Sequence, residues 1–173
     1  DIIYAATYGA IHRSQDGGEN WTRVLGSGSN SAYFSEIEVS TEGVVYASLS
    51  SDGTDKGIWR SENGIEWNNI LPEDWASTYD RIKMAINPHN ENELYFIAVT
   101  PYAGQASITF SDETEHCSLW KYTYSIEDTT SQMGIWEDLS SNIPTGIGSN
   151  FDNFYAQGSY NLTIAISPFN ENH

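Results

Sequence analysis

The sequence predicts an all-β protein built from repeats of four antiparallel strands. Three observations carry that expectation: alternating apolar residues, a recurring tryptophan turn, and no window with a helical period. In "IKMAI" (Ile82 to Ile86) and "LTIAI" (Leu162 to Ile166) every second residue is a large aliphatic, as a strand with one favoured buried face requires. The stretch "IHRSQDGGENWTRVL" (Ile11 to Leu25) returns as "GIWRSENGIEWNNIL" (Gly57 to Leu71) and more weakly between Leu119 and Ser140. Each copy leads from apolar residues and a basic one through a polar turn to a tryptophan: Trp21, Trp67 and Trp136.

The elements follow in order. Ahead of each copy stands a short β-type run with an aromatic, "DIIYAAT", "GVVYASLS" and "ELYFIAVT"; "SEIEVST", "RIKMAINPHNEN" and "NLTIAISPFNEN" are a further, earlier run. Calling the four strands a to d, the chain opens on a strand b, Ile2 to Thr7. In the third repeat strand a is Ile82 to Ile86, strand b Leu94 to Val99, strand c Leu119 to Tyr124 and strand d Ile135 to Leu139. Repeats of roughly 40 to 50 residues with four strands each are the signature of a β-propeller. The expected organisation is strands b to d of a first blade in 1–33, a second blade in 34–79, a third with long loops in 80–158, and strand a of a following blade in 159–173. That is about three and a half blades of a larger propeller, since closed rings have about four to eight and an open arc would expose sheet edges.

Charge narrows the function. With 7 Lys plus Arg against 24 Asp plus Glu, the formal net charge is −17, which repels a phosphate backbone. Nucleic acid is not an expected partner. No apolar run approaches the ~18 residues of a membrane span, so direct membrane insertion is not expected either. Cys117 is the one cysteine and has no internal disulfide partner.

The segment Ser14-Gln15-Asp16-Gly17-Gly18-Glu19-Asn20-Trp21 resembles the Asp-box, S-x-D-x-G-x-x-W, of BNR-like repeats in sialidase-type, sortilin-type and xyloglucanase-type propellers. Ser14, Asp16, Gly18 and Trp21 hold all its fixed positions, between strands c and d. The second copy departs from it: Ser61, Asn63, Gly64 and Trp67 stand with Asn for Asp and one residue fewer before the tryptophan. In the third, a longer loop replaces the box. The turn chemistry of the residues suits a structural lock. Ser14 and Asp16 can hydrogen-bond within their own turn, and Gly17 and Gly18 accept positive φ. Trp21 is expected to bury its ring between adjacent blades. A calcium loop would need more side-chain ligands at alternate positions than two glycines supply. A sialidase would need three arginines converging on a carboxylate, and Arg13, Arg23, Arg60 and Arg81 are all the chain has.

Meander geometry places the b-to-c and d-to-a loops at one end of a blade, opposite the Asp-box. In the third repeat both are long: Thr100 to Ser118 and Ser140 to Ser159. Long loops on a rigid scaffold are where binding concentrates. The first carries Tyr102, Phe110, Asp112, Glu113, Glu115 and His116, and the second Phe151, Asp152, Phe154 and Tyr155. Aromatics beside carboxylates can stack on sugars, or supply the acid and base of glycoside hydrolysis. The alternative is that the aromatics tuck the loops down and the acids are solvated. His116 beside Cys117 suggests a metal, but His12 and His173 lie in other repeats and His89 in the a-to-b turn, so neither metal nor cofactor is expected.

These readings converge on a secreted or surface-displayed bacterial propeller, part of a larger exported protein. It would act as a non-enzymatic scaffold binding protein or glycan through the long loops of the third blade, with the remaining blades of the same polypeptide as its neighbours. Such proteins can reach the surface by type IX secretion. The alternative is the propeller of a xyloglucanase-like glycoside hydrolase.

Overall fold

The computed structural model describes residues 1–130, 132–144 and 154–169. Among them the chain is all-β, with three antiparallel sheets, a single turn of 3-10 helix at Ser140–Asn142, and no α-helix. Among the described residues no helix is long and apolar enough to cross a membrane. The chain divides into two compact units, Asp1–Trp75 with Ile126–Met133, and Ala76–Ser125 with Gly134–His173.

The first unit holds two sheets, each a meander. One runs β1 (Ile3–Thr7), β2 (Ala10–Ser14), β3 (Thr22–Leu25). The other runs β4 (Ser35–Val39), β5 (Val45–Leu49), β6 (Gly57–Ser61), β7 (Asn68–Asn69). β5 is buried along its whole length, which suits a central strand of Val, Tyr, Ala, Ser and Leu between two neighbours. The last strand is only two residues, after a turn closed by its own hydrogen bonds, and the Ile70 N–H still donates to the Ile58 carbonyl at 2.8 Å.

The second unit is organised on β8 (Ile82–Ile86), β9 (Glu93–Val99), β10 (Gln105–Ile108), β11 (Thr114–Tyr124) and β12 (Gly134–Asp138). β9 pairs one side of β11. Along the other side β12 pairs Trp120–Tyr124 and β10 pairs Thr114–Cys117. Direct cross-strand partners share a face, so register sorts the core into two layers. One layer stacks aromatics: the Trp136 ring lies 4.8 Å from Tyr122, 5.0 Å from Phe96 and 6.4 Å from Trp120. The opposite layer gathers Ile97, Val99 and Cys117 against Ile143, Ala156 and Leu162, with Leu119, Phe154 and Ile164 at its margin.

Two strand expectations change. Thr100 to Ser118 is not an irregular loop throughout, because Gln105–Ile108 form β10 and β11 already begins at Thr114. Its alternation escapes a hydrophobicity reading because the buried positions are polar. Ser107 donates to the Phe154 carbonyl at 2.8 Å, and the Thr100 and Ser118 hydroxyls meet at 2.6 Å. The run Leu162 to Ile166 alternates between covered and exposed positions as expected, yet it joins no sheet among the described residues. Its aliphatics dock on the face of the third sheet instead of entering a ladder.

Candidate functional site

The turn after β2 is closed by its own side chains. Ser14 is buried at the end of the strand. Its hydroxyl accepts from the Gly18 N–H at 2.9 Å and donates to Asp16 Oδ1 at 2.8 Å. Asp16 in turn accepts from the Asn20 backbone N–H at 2.9 Å and from the Asn20 side-chain amide at 2.7 Å. Those two bonds, the side-chain one foremost, and the Ser14 hydroxyl hold the Asp16 carboxyl down at about 2. Gly17 and Gly18 take φ of 75° and 98°, where a side chain would be strained.

The turn after β6 repeats the arrangement with an amide. The Ser61 hydroxyl accepts from the Gly64 N–H at 2.8 Å, while Asn63 Oδ1 accepts from the Ile65 and Glu66 N–H groups at 2.9 Å each. The Asn63 amide N–H, which a carboxylate lacks, donates to Glu66 at 3.3 Å. Every polar atom of Ser14, Asp16, Ser61 and Asn63 named here is thus spent inside its own turn.

Trp21 departs from the expectation of a ring buried between blades. Trp21 is 44% exposed, and its Nε1 donates to the Gly18 carbonyl at 2.9 Å, so the ring folds back over its own turn. Trp67 is half-buried, with an Nε1 that finds no acceptor among the described residues.

The aromatic and acidic residues of the third repeat separate into two groups. Glu115 is anchored: its two oxygens accept from the Ala156 and Gly158 N–H groups at 2.7 Å each. Phe154 packs on the buried layer, and Tyr155 meets Phe110 edge-on at 5.9 Å. Exposed are Tyr102 at 93%, Phe110 at 64%, and Asp112 and Glu113 at the tip of the β10–β11 hairpin. Thr109 braces that tip, its backbone N–H donating to Glu113 O at 2.8 Å and its hydroxyl accepting from Glu113 N–H at 3.1 Å. Tyr102 and Asp112 both hold positive φ, 69° and 60°, strain of the kind that concentrates at functional surfaces. The half-buried His116 ring lies 6.4 Å from that of Tyr102. Phe151 and Asp152 lie outside the described residues.

A different aromatic pair comes together in the first unit. Tyr8, in the turn between β1 and β2, and Tyr33, between β3 and β4, have ring centroids 5.8 Å apart. Loop length gave no signal for Tyr8, which sits in a two-residue turn. The "YG" there and the "GSGSNSAYF" run of Gly26 to Phe34 were the available clues. A scan against known protein families finds no match, and a search of curated proteins finds no significant relative.

Proposed function

We propose that this chain is part of an Asp-box β-propeller in an exported bacterial protein. Its role is that of a non-enzymatic module binding a protein or glycan through the outward hairpin of the third sheet. The observation that carries this reading is the division of labour among the third-sheet carboxylates and rings. Glu115 is committed to two backbone N–H groups, whereas Phe110, Asp112 and Glu113 on the braced hairpin, and Tyr102 in the turn between β9 and β10, remain open to solvent. Such a surface suits recognition, where rigid aromatics provide contact area and flanking polar groups provide orientation.

The propeller reading is supported by two meander sheets, by a third antiparallel sheet, and by two similar turns closed through the serine and Asp/Asn pattern. Export is supported by the strong acidity and low lysine content. A glycoside hydrolase would need two uncommitted carboxyls about 5 to 9.5 Å apart, and Glu115 does not qualify as one.

The test is a glycan array and an affinity capture on the natural cell surface with the whole chain, beside its Tyr102→Ala and Phe110→Ala variants. Binding that the variants lose supports the module. Hydrolysis of a β-glucan that Asp112→Asn abolishes would replace it with the enzyme.

A further inference from the structure

We propose that Tyr8 and Tyr33 form a second binding site, a platform for the C–H face of a neutral β-linked oligosaccharide. The two rings are 65% and 64% exposed, lie 5.8 Å apart and are tilted by 32°. Each ring thus shields part of the other while most of both remains in water. Single exposed aromatics need no explanation. A touching pair on immobilised loops does, because holding apolar rings in solvent gains nothing in the free protein.

The loops are immobilised by three close approaches that only glycine allows. A Cβ at Gly9 would meet Ser31 at 2.4 Å, one at Gly28 would meet Thr54 at 2.3 Å, and one at Gly53 would meet Ala32 at 2.8 Å. A ladder of side-chain hydrogen bonds joins the same segments. The Gly28 N–H donates to Asp55 at 2.8 Å, the Asn30 N–H to Thr54 Oγ1 at 3.0 Å, and the Tyr33 N–H to Asp52 at 2.9 Å. The Thr54 N–H returns a bond to the Asn30 carbonyl at 3.0 Å. Tyr33 is therefore fixed through its backbone, and Tyr8 is fixed by the Gly9–Ser31 contact beside it. Little ordering is left for a ligand to impose, the condition under which a small contact area yields affinity.

The chemistry of the rim selects the ligand. Asn30 and Ser31, just before Tyr33 in the chain, and Asp52, bonded to the Tyr33 N–H, are exposed. They offer an amide, a hydroxyl and a carboxylate whose two oxygens each accept one bond, from the Tyr33 N–H and the Ser50 hydroxyl, and keep lone pairs for a further donor. Sugar hydroxyls donate to the carboxylate and accept from the amide, while the ring's C–H face covers the tyrosines. No Lys or Arg occurs between Arg23 and Lys56, and the named rim groups are an amide, a hydroxyl and a carboxylate, a set that favours a neutral sugar over a sulfate or uronate. A polyproline segment, the other ligand of aromatic grooves, has no N–H to give the acceptors. β-1,4-Linkage between equatorial positions keeps successive pyranoses extended and in line, presenting the C–H faces that two adjacent rings can hold.

The test is an NMR titration of the whole chain with cellohexaose, β-1,4-mannohexaose and xylohexaose, with maltohexaose and a decaproline peptide as controls. We expect at least one β-linked hexaose to shift the amides of residues 28–33 and 52–55. Tyr8→Ala and Tyr33→Ala should each weaken that binding tenfold or more, and Tyr33→Phe should retain most of it. Both side chains are largely in solvent, and unchanged β5 amides will verify that the variants fold. Tyr102→Ala with Phe110→Ala should leave the response intact, which separates this site from the third-sheet hairpin. The proposal is overturned by no response to any β-linked hexaose, by a response that survives both alanine variants, by equal binding of maltohexaose, or by a response to decaproline alone.

Discussion

Asp16 and Asn63 do one task with two chemistries, and the difference is measurable. The Asp16 carboxyl is held near 2, below its ordinary 3.8, chiefly by the Asn20 side chain. A depressed folded-state pKa stabilises the fold above the unfolded value, and that contribution is lost as pH falls through the folded one. Asp16 therefore contributes fully above about pH 4 and ceases to contribute near pH 2. Asp16→Asn, the chemistry Asn63 already uses, should flatten this part of the acid-unfolding profile between pH 4 and 2, followed by circular dichroism. An unchanged profile would mean that the Asn20 bonds are not populated in solution. Gly64 gives a second residue-scale prediction. It has φ of 69°, and an added Cβ would lie 1.9 Å from the Tyr4 hydroxyl oxygen, whereas Gly43 has φ of 87° with nothing within 4 Å. Gly43→Ala should cost about 1 kcal/mol from the backbone alone, and Gly64→Ala about 2 to 4 kcal/mol once strain and displacement add. Urea unfolding midpoints of the two variants separate the two terms. The turn chemistry was legible because Ser, Asp/Asn and Gly act within a few residues. The exposure of Trp21 was not, since it depends on what packs against the turn.

The strands of the third sheet show where a local reading stops. Ile82 to Ile86 and Leu94 to Val99 were legible because apolar alternation and β-branched or aromatic residues coincide there. β10 was not, because Ser107 is buried by a hydrogen bond to Phe154, a partner far away in sequence. Glu115 is the same lesson in a charged residue. Its sequence neighbours suggested a binding-site acid, but its two oxygens fasten residues 156 and 158 to β11. Glu115→Ala should leave the buried Ala156 N–H without its acceptor, at about 1 to 3 kcal/mol. The exposed Gly158 N–H can take water in exchange. Hydrogen exchange should then quicken at Ala156 well before the amides of β9, and thermal unfolding should shift down by several degrees. Exchange at Ala156 that matches the wild type would show that Glu115 is solvated and available for chemistry.

At the scale of the whole molecule, the charge balance carries an expectation that neither sheets nor turns contain. A net charge of −17 means self-repulsion in the compact state. Against it stand ion pairs such as Lys121 with Glu93 at 2.7 Å, both side chains part-buried. Burial pushes the Glu93 carboxyl up, but hydrogen bonds from Lys121 and Asn87 more than offset this and leave it low. Donating that bond to Glu93 raises Lys121 against its own burial. Such a part-buried pair is screened less by salt than the exposed acids are, and the Debye length shrinks from about 30 Å at 0.01 M to about 10 Å at 0.1 M. Salt therefore relieves more repulsion than it costs in attraction. Raising sodium chloride from 10 to 150 mM at pH 7 should increase the Tm; for a chain of this length about 1 kcal/mol appears as about 2 to 4 °C. Chloride is the informative anion, because sulfate would stabilise by strengthening apolar burial whatever the charge. A Tm that falls with sodium chloride would mean that ion pairing, not repulsion, dominates the electrostatics of this fold.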